Sequence, residues 1–98
     1  MKFLQIIPKE GVDLKNELKT IENDLRSRGR GTFYKVSVGK WKHVKFWGWL
    51  RFEKSLGGVL NVEIKSKTEG EWQIFSAFIG FLDRSIGDKI HSINIQYK

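Results

Sequence analysis

The sequence predicts an α+β domain in the order β-α-β-β-β-α-β, with an antiparallel or mixed sheet and both helices on one face. Three observations predict it. Apolar residues recur at helical spacing in two segments, residues 14–25 and 72–86. They alternate with a period of two in much of the stretch between, residues 32–67. Near the two ends, the apolar run at residues 3–7 is too short for a helix and reads as a strand, and residues 90–97 alternate apolar and polar as a strand does. A chain of 98 residues buries one core and little more, so residues 1–98 form a single domain in this reading.

The first strand, residues 3–7, ends at Pro8, which has no N–H to give a ladder. Asp13 is placed to cap a helix, and Leu14, Leu18, Ile21 and Leu25 then make one narrow apolar stripe. Glu22 with Arg26 and Asp24 with Arg28 have the i,i+4 spacing of helix ion pairs, and Gly29 marks the stop. Residues 26–31 form a basic connector, with arginines where the helix dipole favours them.

From Thr32 the alternation has Tyr34, Val36 and Val38 on one side and Phe33, Lys35 and Ser37 on the other. Gly39 and Lys40 read as a turn into one long strand, residues 41–53. Its even-numbered residues Val44, Phe46, Gly48, Leu50 and Phe52 would face the helices. Its odd-numbered residues Trp41, His43, Lys45, Trp47, Trp49 and Arg51 would line the opposite face. After a turn at 56–58, residues 59–67 form a third strand with Leu60, Val62 and Ile64 on one side. Thr68 and Glu71 have the spacing of a capping box, opening a helix that runs to Ile86 and stops at Gly87. That helix carries two apolar stripes: Trp72, Phe75, Ile79, Leu82 and Ile86 in one, Ile74, Phe78 and Phe81 in the other. Such girth means a central place in the core or a face offered to a partner. The last strand puts Ile93, Ile95 and Tyr97 on one side and Ser92, Asn94 and Gln96 on the other.

Composition narrows the function. Hydrophobic content of 40% with 30% charged residues is that of a globular protein. There is no cysteine, hence no disulfide framework and no thiolate metal site. His43 and His91 lie far apart without metal-ligand spacing, no Gly-rich phosphate loop is present, and Glu53 and Glu63, spaced to face each other across a hairpin, sit among lysines as paired surface ions do. No catalytic residue, cofactor or metal is expected, and the reading is non-enzymatic. No run is long enough to cross a bilayer and no secretory leader is recognisable, so membrane insertion is not expected and the expected location is cytoplasmic.

Charge is uneven. Residues 1–30 carry seven Lys/Arg against five Asp/Glu, residues 31–67 eight against two, and residues 68–98 three against four. The basic middle third also holds three of the four tryptophans. The odd-numbered face of the long strand, joined by Phe33 and Lys35 from one neighbour and Lys65 and Lys67 from the other, would be an open platform of indoles and cations. Flat rings stack bases and the cations neutralise phosphates, so the favoured partner is single-stranded nucleic acid. The alternative is a small interaction or inhibitor module, immunity-like or phage-encoded, docking on an acidic protein, with a homodimer possible; aromatics and arginine also enrich protein interfaces. The octapeptide Lys45-Phe-Trp-Gly-Trp-Leu-Arg-Phe52 resembles the aromatic octapeptide of RNA-recognition-motif domains, with Trp in place of Phe or Tyr. It departs from that pattern at Phe46, where the family has Gly, and the strand at 59–67 is extra to the family's order. Residues 13–86, as helix, three strands and helix, resemble the element order of double-stranded-RNA-binding domains, without a matching lysine cluster opening the second helix.

Overall fold

The computed structural model describes residues 1–28, 33–54, 58–66 and 70–97. The elements are β1 (Lys2–Pro8), α1 (Leu14–Arg28), β2 (Phe33–Ser37), β3 (Lys40–His43), β4 (Trp49–Lys54), β5 (Leu60–Lys65), α2 (Gly70–Ile86) and β6 (Ile90–Tyr97), with one 3-10 turn at Gly87–Lys89. The strands form one antiparallel sheet in the order β2-β3-β4-β5-β1-β6. The α+β class, the antiparallel sheet and the helices on one face agree with the sequence reading.

Asp13 caps α1: its Oδ1 accepts N–H bonds from Lys15 at 3.1 Å and Asn16 at 3.3 Å. Leu14 and Leu18 are buried, with Ile21 and Leu25 packed at the core's margin. Glu22 reaches the sheet, accepting from Trp41 Nε1 at 3.0 Å and pairing with Lys35 Nζ at 2.7 Å. The side chains of Asp24, Arg26 and Arg28, the connector through residue 31 with its stop at Gly29, and the capping Thr68 lie outside what is described.

The single long strand expected at 41–53 is corrected to a hairpin. β3 and β4 pair antiparallel, with Lys40 opposite Arg51, Trp41 opposite Leu50 and Lys42 opposite Trp49, joined by residues 44–48. Residues directly opposite share a face. The hairpin therefore puts odd-numbered residues of β3 on the same side as even-numbered residues of β4, and the alternation changes phase across the connection. The turn into β3 is Val38–Gly39, one residue earlier than expected, with Gly39 at φ +73°. Phe33, Trp41 and His43 consequently turn toward the helices. Trp41 is fully buried, its ring centroid 4.7 Å from that of Phe52 and 6.5 Å from that of Phe78. Val44, expected beneath the helices, is 63% exposed.

In α2, Ile74, Phe75, Phe78, Leu82 and Ile86 are buried, and Ala77, Ile79 and Phe81 pack against the core. Its broad apolar girth is thus absorbed within the chain's own core, and only Trp72 of the two stripes is exposed. Lys2 Nζ meets Glu71 at 2.9 Å and Lys89 Nζ meets Glu17 at 2.8 Å, tying sheet to α2 and the 3-10 turn to α1. In β6 the expected alternation holds, with Ile93 and Ile95 packed against the core.

Candidate nucleic-acid interface

The face away from the helices is organised by the 44–48 connection. His43 ends β3 with its ring buried between Phe33, at 5.2 Å between centroids, and Phe46, at 4.8 Å. Its Nδ1 accepts the N–H groups of Lys45 at 2.9 Å and Phe46 at 3.3 Å, so the imidazole is neutral with its hydrogen on Nε2. Burial, reinforced by the Lys45 charge, holds its pKa below the ordinary histidine value. Gly48 closes the connection at φ +150° and is buried. A Cβ there would lie 2.5 Å from Ile74 Cδ1 and 2.6 Å from the Lys65 carbonyl oxygen, so only glycine lets the chain pass between β5 and α2. The Ser66 hydroxyl donates to the Trp47 carbonyl. These contacts hold the backbone of Trp47 in place, while the residue as a whole stays 59% exposed.

The register lines up Tyr34, Lys42, Trp49 and Lys65 in one row across β2, β3, β4 and β5. Beside it runs Lys40, Arg51 and Glu63. Three cations surround the Trp49 ring: Arg51 Cζ at 5.2 Å, Lys40 Nζ at 5.3 Å and Lys65 Nζ at 6.0 Å from its centroid. Lys42 Nζ lies 5.2 Å from the Trp47 centroid. Two shallow cavities of about 240 Å³ each share Lys42, Trp47 and Gly48 in their walls; one is completed by Trp49, Lys65 and Ser66, the other by residues including Tyr34, His43 and Phe46.

Of the residues expected here, the structure brings together Trp47, Trp49, Arg51 and Lys65, with Lys45 exposed at the rim. It corrects the placement of four. Phe33, Trp41 and His43 are core residues, and Lys35 points to the helix side, where it pairs with Glu22. Lys67 lies outside the described residues. Tyr34, Lys40 and Lys42 complete the face and were missed by the sequence reading. A signal for the two lysines was present: in Lys40-Trp-Lys-His43 the lysines fall on even numbers and alternate with the rings of Trp41 and His43, while from Lys45 to Arg51 the cations fall on odd numbers. That reversal marks a break between two strands.

Glu53 and Glu63 stand opposite Asn61 and Arg51 respectively, not opposite each other. Among the described residues no group of three or more His, Asp or Glu is placed to hold a metal, and no helix is long and apolar enough to cross a membrane. Comparison with protein-family models, curated proteins and solved structures finds no match for this chain.

Proposed function

We propose that the chain is a non-enzymatic, cytoplasmic binding protein whose sheet face takes up single-stranded nucleic acid. The observation that carries this reading is Trp47: an exposed indole standing between two cavities, with Lys42 against its ring and a row of alternating rings and cations beside it. Trp47 is the stacking surface. Trp49 is the base of a cation cluster, holding Lys40, Arg51 and Lys65 by cation–π attraction where a phosphate backbone would pass. Ordering those long side chains in advance reduces the entropy lost on binding. His43 supports the non-enzymatic reading, since its Nδ1 is engaged by two backbone N–H groups and its ring is buried.

The alternative partner, an acidic protein, is favoured by one observation: Val36 and Val44 are exposed beside the basic face, and a single strand has no use for them. Tryptophan fluorescence titrated with single-stranded oligonucleotides at two salt concentrations separates the two. Nucleic-acid binding predicts quenching that weakens steeply with salt. Trp47→Ala should cost about 1–3 kcal/mol of binding with folding intact. Lys40→Gln with Arg51→Gln should lower the salt slope by about 0.7 for each phosphate that is no longer neutralised. Oligonucleotides that leave the fluorescence unchanged at low salt would remove the nucleic-acid reading.

A further inference from the structure

The two edges of the sheet differ. β2 has only five residues, carries Lys35, and has a register shift between Lys35 and Ser37. Short length, lysine and bulges are the devices that blunt an edge against pairing. β6, at the other edge, has eight residues with no Lys, Arg, Asp, Glu or Pro. Its register shift against β1 is confined to the Pro8 end, and residues 92–97 run in unbroken register with residues 2–7. Among the described residues no strand covers its outer side.

We infer that the β6 edge pairs with β6 of a second copy of this chain, antiparallel about a two-fold axis through Asn94. The residues suit that operator. Asn94 falls opposite itself, Ile93 opposite Ile95, and Ser92 opposite Gln96. Ile93 and Ile95, half-buried at the margin of the core, would cover one another and extend the helix-side layer across the axis. Asn94, Ser92 and Gln96 form polar pairs on the other side. A two-fold interface must be self-complementary, and an uncharged palindrome of this kind is. The chain carries a net charge of +7, yet this edge brings no charge to the axis. A charged peptide would find no counter-charge here, whereas a second copy meets its own pattern.

The product is one continuous sheet of two six-stranded halves. The two Trp faces lie on the same side of it, their β4 strands seven strand spacings apart, roughly 34 Å along the sheet. The inference is independent of what those faces bind.

Sedimentation equilibrium over a wide dilution series tests it. The expected mass is twice the 11.5 kDa of one chain at the concentrated end, falling toward one chain on dilution. Asn94 is exposed, so Asn94→Lys and Asn94→Glu should each fold, with unchanged circular dichroism. Each should weaken self-association by about tenfold or more, because like charges then face each other across the axis. An equimolar mixture of the two variants should recover the dimer as a heterodimer. Trp47→Ala, next to β4 and separated from β6 by β5 and β1, should leave it intact. A wild-type mass of one chain throughout the series would overturn the inference. So would a dimer indifferent to both Asn94 substitutions, or one abolished by Trp47→Ala.

Discussion

At the residue scale His43 combines two tasks. Its ring fills a slot in the core beside Phe33, and its Nδ1 pins the start of the connection that carries Trp47. A protonated Nδ1 cannot accept those N–H bonds, so protonation opposes the native loop. The folded-state pKa lies below the ordinary 6.5, so on acidification the unfolded chain takes up this proton first. The resulting stability is fully present above 6.5 and is lost as pH falls through the folded pKa. Glu71 acts lower on the scale. Burial raises its pKa, but hydrogen bonds from Lys2 and the first amino group outweigh this and hold it below 4.5, so its contribution is lost only as pH falls below that value. Urea denaturation of wild type from about pH 7 to about pH 5 should therefore show a decline that His43→Asn, which keeps an acceptor without titrating, lacks. Parallel profiles for the two proteins would contradict this role.

At the element scale the decisive piece is the connection between β3 and β4. Its five residues set the phase of both strands, and its tightest point is Gly48. Added atoms there meet backbone at Lys65 as well as the buried Ile74 side chain, so a rotamer change alone cannot relieve the clash. Gly48→Ala should destabilise the fold by about 2–4 kcal/mol, measured by urea or thermal denaturation. It should also disturb the setting of Trp47, visible as a changed emission maximum in the folded state. An alanine variant as stable as wild type, with unchanged emission, would mean that the connection is looser than its close approaches imply. The octapeptide resemblance also changes meaning at this scale. Lys45, Phe46, Trp47 and Gly48 belong to the connection and Trp49 to Phe52 belong to β4, so the eight residues do not form one strand.

At the scale of the whole molecule, two layers divide the aromatic residues between them. Phe33, Trp41 and Phe52 from the sheet meet Phe78 and Phe81 from α2 in edge-to-face and tilted contacts. Phe78 touches all three sheet rings and is fully buried. Phe78→Ala should cost about 3–5 kcal/mol, a large part of the ~5–15 kcal/mol that holds a domain folded. Trp72→Ala, on the same helix but 60% exposed, should cost less than about 1 kcal/mol. Comparable losses at the two positions, by chemical denaturation, would refute this division of the core. Trp47, Trp49 and Tyr34 are left on the far side, where among the described residues no helix covers them.

What the sequence determined by itself is the set of local patterns. The stripe of α1 and its Asp13 cap, the girth and end of α2, the strand ended by Pro8, the alternation of β5 and the two sides of β6 all follow from spacing within one element. Helical and strand periods are properties of neighbouring residues, so they can be read without knowing the fold. The tertiary structure decided how β3 and β4 pair, and with it which tryptophans are core and which are surface; the sequence carries only the reversal of cation parity that marks the break between them. Alternation passes through a strand but not through a connection, because the register beyond it is set by pairing with other strands. Here that pairing buries the Trp41 indole and gives its N–H the Glu22 carboxylate, while Val44 is left exposed. Moving a large ring out of water with its polar atom satisfied outweighs keeping one valine in the core.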